Sequence, residues 1–325
     1  MDTYFYRAFE ERYYAPRNTI RELRQQYLPF VTPVAQAYPG SGSFDIGCGR
    51  GEWLELMQEL GLQPYGVDLD AGMLQACVEL GLPAHQGDAV AHLKTLADSS
   101  QAVVSAFHVV EHISFEQLQS VITESLRILR PGGLLILETP NPENIGVGTR
   151  NFYIDPTHQR PIPDQLLSFL VEYAGYARTK VLRLQENKGL TSSPCISLIE
   201  VLTGSSPDYA VIGQKAGPEA LLQALARPFE AEYGLSLSAL ARGYDNQRDA
   251  RIQQAEERAE QARNAAEQAK GAADRARIEM QDALARAEAE SRDLQAQLQA
   301  MHSSMSWKVT APLRKLGALL RRFSS

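Results

Sequence analysis

The sequence predicts a doubly wound α/β sheet of seven strands followed by a long coiled-coil helix, and three observations predict it. Short apolar runs that end in polar residues alternate with helical patterns through the first two thirds of the chain. A glycine turn, Asp45-Ile46-Gly47-Cys48-Gly49-Arg50-Gly51, joins the first apolar run (Ser43, Phe44) to the helical pattern Trp53, Leu54, Leu56, Met57, Leu60. From residue 246 the composition turns to Ala, Glu, Gln and Arg, with apolar residues alternately three and four apart.

The strands follow in order. Pro64-Tyr65-Gly66-Val67 closes in Asp68, 17 residues beyond Gly51, and Pro83–Gln86 closes in Gly87-Asp88-Ala89. Ala102–Phe107 runs into His108-Val109-Val110-Glu111-His112. A helix from Phe115 to Leu129 stops at Arg130-Pro131-Gly132-Gly133, and Leu134–Leu137 is the fifth strand. Asp164–Tyr173 reads as a helix and Thr179–Leu184 as a strand. Asp208–Gly213 is the last strand, antiparallel, covered by a helix over Pro218–Phe229. In such a sheet ligands bind at the carboxyl ends of the strands, where these polar residues fall.

The glycine spacing narrows the ligand. A dinucleotide fingerprint is G-x-G-x-x-G, whereas here the glycines are 47, 49 and 51 and an acid opens the motif. The pattern D-x-G-x-G-x-G resembles the first motif of class I S-adenosylmethionine (SAM) methyltransferases, whose core is a Rossmann-like seven-stranded sheet. That resemblance implies SAM held by Asp45, Gly47, Cys48, Gly49, Gly51, Asp68, Leu69, Asp88, Ala89, Phe107 and His108. Asp68, at the tip of the second strand, stands where ribose hydroxyls are accepted, and Asp88 where the adenine amino group donates. A Rossmann-type domain that binds NAD, or nothing, is the competing reading.

Composition fits a cytoplasmic enzyme with an appendage. The chain has 325 residues, enough for about two domains, and 44% hydrophobic residues. Its three cysteines, Cys48, Cys77 and Cys195, lack pairing or metal spacing, and Cys48 reads as packing. There is no apolar leader or spanning run. Residues 303–325 hold five of the 32 basic residues and no acid, leaving 27 basic against 39 acidic residues, or −12, in the rest. An acidic body argues against a nucleic-acid partner.

The chain divides into four parts: 1–40, 41–245, 246–301 and 302–325. Residues 1–40 carry Tyr4, Phe5, Tyr6, Phe9, Tyr13, Tyr14, Tyr27 and Phe30, and read as a helical lid or as ordinary helix packing. Residues 41–245 are the catalytic domain. The seam of 246–301 is Ile252, Ala255, Ala259, Ala262, Ala266, Ala269, Ala273, Ala276, Met280, Ala283 and Ala287. The seam is unbroken to Ala287, lapses at Glu290 and resumes approximately at Leu294, Leu298 and Met301. It points to a homo-oligomer, and an Ala-rich solvated helix is the alternative. In the tail, Leu313, Leu316, Leu319, Leu320 and Phe323 share one face, opposite Arg314, Lys315, Arg321 and Arg322. With Trp307 at its entry, this helix suits an anionic membrane surface; a groove on a partner protein is the competitor.

Three strings sharpen the resemblance: Phe107–His112, Leu135–Asn144, and Asn151-Phe152-Tyr153-Ile154-Asp155-Pro156-Thr157-His158-Gln159-Arg160-Pro161. They look like methyltransferases of bacterial surface-polysaccharide (O-antigen) gene clusters. The tail Ser304–Arg314 is similar to the S-x-S-W-[RK]-x-T-x-P-L-R ending of proteins from those clusters. The plan of catalytic domain, coiled coil and membrane helix resembles chain-terminating methyltransferases of lipopolysaccharide biosynthesis. What this implies is an acceptor that is a glycan or a nucleotide- or lipid-linked sugar, methylated on a hydroxyl. It also implies a place on the inner face of the cytoplasmic membrane and a glycosyltransferase or polymerase as partner. A small lipid or quinone-like acceptor, or a non-catalytic SAM-binding scaffold, are the alternatives.

Methyl transfer to an alcohol needs in-line placement and a base, and His is the natural base near neutral pH. Three of the six His, at 108, 112 and 158, fall in the two suspect loops. The expectation is His158 as base, oriented by Asp155, with His112 beside it; a His that pins the DPTH turn is the alternative. Asn141 and Glu143 are candidates for sugar hydroxyls, or for a rigid turn between Pro140 and Pro142. His108, Glu111, His112 and His158 also resemble, in layout, the metal site of small-RNA 2′-O-methyltransferases, so a divalent metal is possible but not expected.

Overall fold

The computed structural model of the protein describes residues 12, 15–190, 193 and 195–322, the last five as backbone. Tyr4, Phe5, Tyr6, Phe9, Tyr13, Tyr14 and Phe323 lie outside the described residues. The chain separates into two compact units, Met1–Arg248 and Asp249–Ser325.

The seven expected strands form one sheet: β1 Gly42–Ile46, β2 Gln63–Asp68, β3 Ala84–Gln86, β4 Gln101–Phe107, β5 Leu129–Pro140, β6 Arg178–Leu184 and β7 Asp208–Gln214. Their order is β3-β2-β1-β4-β5-β7-β6. β1 to β5 are parallel, and β7 runs antiparallel to both β5 and β6. The order reverses between β1 and β4, which opens a crevice at the carboxyl ends there.

Alternation along the central strands feeds two cores, as a period of two requires. Leu135, Leu137 and Val211 face the helices Phe115–Ile128 and Asp164–Tyr173. Leu134, Ile136, Ala210 and Ile212 face the other way, packing with Phe30, Val34, Trp53 and Met57. Tyr27, Phe30, Val31 and Val34 are fully buried, so Leu28–Ala37 is a core helix; the preceding helix, Arg17–Arg24, lies over the crevice.

Two local expectations change. The Pro-Gly-Gly turn before the fifth strand is absorbed into β5 as a bulge: Gln101 pairs with Leu129 and Val103 already with Leu134. The covering helix splits into Glu219–Ala224 and Ala226–Glu230. Pro228 has no N–H to give to the preceding turn, and its ring would meet the carbonyl four residues back.

The long helix is Leu237–Ser303, longer at its start than the heptad pattern shows. Its first turn is capped by Ser236, whose Oγ accepts from Ala239 N at 3.1 Å. Leu240 is buried with Leu190, Ile196 and Val201. From residue 249 to 302 every residue is exposed except Gly271, so the seam bearing Ile252 and Met280 is uncovered. Two short helices follow, Met305–Val309 and Ala311–Arg322. Arg314 lies 3.5 Å over the Trp307 ring and donates to the Trp307 carbonyl at 2.6 Å. Leu313 and Leu316 are exposed. Among the described residues, no helix is long and apolar enough to cross a membrane.

Candidate active site

A cavity of about 990 Å³ occupies the crevice, roofed by Ala15, Ile20, Leu23 and Arg24. Of the residues expected at the cofactor, Asp45, Gly47, Cys48, Gly49, Asp68, Leu69, Asp88, Ala89, Phe107 and His108 all line it. Gly51 does not. It caps the helix Glu52–Glu59, and a Cβ there would meet Leu82 at 2.7 Å and Cys77 Sγ at 2.8 Å, so its role is close packing. Gly47 has φ +67°, and a Cβ on it would stand 2.4 Å from Val109, so packing already demands a glycine there. At Gly49, φ +52°, a Cβ would meet Met73 Cε at an ordinary 3.5 Å, so the loop leaves open backbone toward the cavity, and the residues fit SAM.

The acids have distinct environments. Asp68 Oδ2 accepts from Gly49 N at 2.8 Å and Oδ1 from Asp70 N at 2.9 Å, which ties the glycine loop to the tip of β2. Each oxygen keeps a lone pair for a hydroxyl. Asp88 caps the helix Ala89–Leu93, Oδ1 accepting from Val90 N at 2.8 Å and Ala91 N at 3.1 Å. Burial pushes Asp45 up to about 7, against the pull of its hydrogen bond from Ser105 Oγ at 2.6 Å.

Beside the glycine loop lies a buried charge cluster that the sequence reading missed. Glu138 of β5 accepts from the Arg24 guanidinium and from the Tyr27 hydroxyl. Arg24 also covers the Phe107 ring at 3.9 Å. His108 sits between acids: Nδ1 is 3.3 Å from Glu111, and Nε2 is 3.2 Å from Glu138 and 4.0 Å from Asp208. Burial opposes charge on His108, but Asp208, Glu111 and Glu138 together hold it well above the usual histidine range. Burial likewise raises Glu138, yet Arg24, His108 and Tyr27 bring it down to about 2. Asp208, at the start of β7, is raised to about 6 by burial despite His108. His108 has φ +55°, a left-handed conformation costly for a β-carbon residue, held by its N–H to the Glu138 carbonyl at 2.9 Å. One signal was visible: an acid at the end of the apolar run Leu134–Leu137 must find a buried partner.

The second cluster holds the catalytic candidates. His112, Asp155, Thr157 and His158 line the cavity, and the His112 and His158 rings are 4.6 Å apart, edge to face. The orienting of His158 expected of Asp155 is done at Nδ1 by the backbone. His158 Nδ1 donates to the Phe152 carbonyl at 2.6 Å, whereas Asp155 Oδ1 accepts from Thr157 N at 2.8 Å and Thr157 Oγ1 at 2.7 Å. Thr157 Oγ1 in turn is 2.9 Å from His112 Nδ1. Burial lowers the His112 pKa, and His158 adds to this, while Glu111 and Asp155 pull the other way. The four-residue metal set also divides. Glu111, His112 and His158 each bring a donor atom within 4.8 Å of one another, but His108 belongs with Glu138 and Asp208.

Asn141 and Glu143 are turn residues, not hydroxyl ligands. Asn141 Nδ2 donates to the Ser206 carbonyl at 2.8 Å and its Oδ1 accepts from Glu143 N at 3.0 Å. Glu143 accepts from Arg183 Nε at 2.8 Å and from Leu237 N at 3.0 Å.

A seven-stranded sheet with an antiparallel seventh strand and a glycine loop below an acid-tipped second strand defines a class I methyltransferase domain. Known proteins agree. Residues 44–137 match the family model of a methyltransferase domain. A SAM-dependent methyltransferase from Archaeoglobus fulgidus is 30% identical, with a TM-score of 0.57 over 66% of this chain and all of that one. A probable SAM-dependent methyltransferase of Mycolicibacterium smegmatis is 32% identical over 160 residues, 48% of this chain and 60% of the relative. The matched stretch therefore spans less than two thirds of that relative. A ubiquinone biosynthesis O-methyltransferase of Albidiferax ferrireducens is 26% identical over 222 residues, 62% of this chain and 82% of the relative. The chain belongs to the SAM-dependent methyltransferases, and its cofactor is SAM.

Proposed function

We propose that the enzyme methylates a sugar hydroxyl, that of the non-reducing end of a bacterial surface polysaccharide. The observation that carries the reading is a set of polar residues in the cavity lining. Asn151, Asp155, Thr157, His158, Gln117 and Gln185 stand among apolar ones such as Ile113 and Ile154, a mixture that suits a sugar with its hydroxyls and apolar ring faces. SAM supplies a methyl group on a sulfonium. Asp68 accepts the ribose hydroxyls, Gly47 and Gly49 allow the backbone approach, and Asp88 accepts from adenine through the oxygen not used in capping. The His112–His158 pair takes the acceptor proton. A phenolic, quinone-like acceptor is the second reading, favoured by the similarity to ubiquinone O-methyltransferases.

The test is a panel of methyl glycosides of common hexoses and deoxyhexoses beside 3,4-dihydroxybenzoate, with release of S-adenosylhomocysteine as readout. Turnover with a glycoside and none with the catechol supports the sugar; the reverse supports the second reading. SAM binding without turnover on either leaves a binding module.

The appendage completes the reading. The uncovered seam on Leu237–Ser303 suits a second copy, and the cationic tail suits an anionic bilayer at the inner face of the cytoplasmic membrane. Deleting residues 303–325 should release the protein from phosphatidylglycerol vesicles in a sedimentation assay while glycoside turnover stays unchanged. Co-sedimentation of the truncated protein would remove the tail from this role.

A further inference from the structure

We propose that Asp155, Thr157 and His112 form a proton-positioning relay that makes His112, rather than His158, the group that deprotonates the acceptor. The inference rests on the methyltransferase reading above and deepens it by assigning the base and adding Thr157 as a positioning residue.

Donor and acceptor chemistry fixes the relay. An ionised carboxylate only accepts, so the 2.7 Å contact between Thr157 Oγ1 and Asp155 Oδ1 uses the one hydroxyl proton of Thr157. Thr157 Oγ1 can then only accept across its 2.9 Å contact with His112 Nδ1. The proton of neutral His112 is therefore on Nδ1, and its lone pair is on Nε2. Asp155 is held for this task, since the same Oδ1 takes Thr157 N at 2.8 Å in a tight turn.

His158 has the same tautomer for a different reason, Nδ1 donating to the Phe152 carbonyl at 2.6 Å. The two histidines differ in what stands behind Nδ1. Behind His158 is a neutral peptide dipole. Behind His112 is a hydroxyl backed by the Asp155 carboxylate, while buried Glu111 lies within 4.8 Å of both histidines. Positive charge arriving on an imidazole is better stabilised by a carboxylate-backed hydroxyl than by a neutral carbonyl. Burial meanwhile keeps His112 neutral until then.

In the transfer step the acceptor oxygen forms a bond to the methyl carbon as the carbon–sulfur bond breaks, its electron pair staying on sulfur. The acceptor proton moves to His112 Nε2, giving an imidazolium that later releases it to water. Thr157 and Asp155 keep their own protonation throughout, so the relay orients and stabilises without carrying a proton away.

The full chain labelled with ¹⁵N-histidine and bound to S-adenosylhomocysteine tests the relay without any acceptor. His112 should show a protonated Nδ1 and a bare Nε2. Thr157→Val should turn this into a tautomer mixture, and Thr157→Ser should restore it. With a glycoside or catechol found active in the panel above, Thr157→Val should lower kcat about 10–100-fold, as lost support behind a site imidazole does, at unchanged SAM affinity. Thr157→Ser should recover most of it. His112→Gln should lower kcat about 10²–10⁴-fold, more than His158→Gln. The relay is overturned if His112 carries its proton on Nε2, if Thr157→Val leaves the tautomer alone, or if His158→Gln costs more. Loss of turnover in EDTA with recovery on adding magnesium or zinc would also overturn it, because the lone pairs would then serve a cation. A correct tautomer with no turnover on any acceptor would sink the functional reading alone.

Discussion

Beneath β1 to β3 the cavity wall is mostly backbone: glycines 47 and 49, the turn at Asp68 to Asp70, and the capped helix after Asp88. Beneath β4, β5 and β7 it is mostly side chains: Arg24, His108, Glu138 and Asp208 in one cluster, His112, Thr157 and His158 in the other. The first wall has to accept one fixed molecule, the cofactor, whose shape a main chain can match. The second has to meet a variable acceptor and manage charge, which needs groups that can be exchanged. In the first, partners lie within about one βα unit; in the second, they come from segments a hundred residues apart, as in Arg24 with Glu138.

The comparison breaks most visibly at Asp68, the side chain that ties the glycine loop to the tip of β2. Asp68→Ala should weaken SAM binding about 10²–10⁴-fold by calorimetry, two charge-assisted hydrogen bonds of about 1.5–3 kcal/mol each being lost. Unchanged affinity would mean that the cofactor is not held at the tip of β2. In the side-chain wall the largest effect belongs to Arg24. Arg24→Met leaves Glu138 buried with one cation fewer, and should cost about 3–5 kcal/mol in denaturant unfolding. A midpoint equal to wild type would show that His108 alone neutralises Glu138.

A smaller effect separates the walls by pH. Asp45 is shifted from 3.8 up to about 7, so between those values the native state holds a proton that the unfolded chain has released. Its contribution to stability therefore falls as pH rises through that window. Asp45→Asn keeps an acceptor for Ser105 and removes the buried charge. It should raise the cofactor-free unfolding free energy by about 1–3 kcal/mol at pH 8 and leave it nearly unchanged at pH 4. A gain of the same size at both values would make the effect one of packing.

The same division explains what could be read from the sequence. The glycine turn, Asp68 and Asp88 are local signals, each placed by strand, turn and helix patterns a few residues long. Most strand and helix positions came through for the same reason, apart from the bulge in β5, the break at Pro228 and the early start of the long helix at Leu237. The acceptor wall is fixed by tertiary contacts. Nothing near Thr157 says that its hydroxyl, once turned to Asp155, meets His112 from 45 residues away, or that Tyr27 and Arg24 reach across to Glu138. Glu143 misled for a related reason: its position after β5 suits a ligand, and only the packing turns its carboxylate to Arg183 and Leu237, outside the residues that line the cavity.

That orientation gives Glu143 a mechanical meaning. Leu237 opens the 67-residue helix, and its N–H is moored to Glu143 while Leu240 is sunk among Leu190, Ile196 and Val201. Gln247, nearly three turns beyond Leu237, is tied by its side chain to the backbone at Ser193 and Ile196. The root of the helix, Leu237 to Gln247, thus folds as part of the domain: its first three turns are fastened at three points, and only beyond them does every face of the helix turn to solvent.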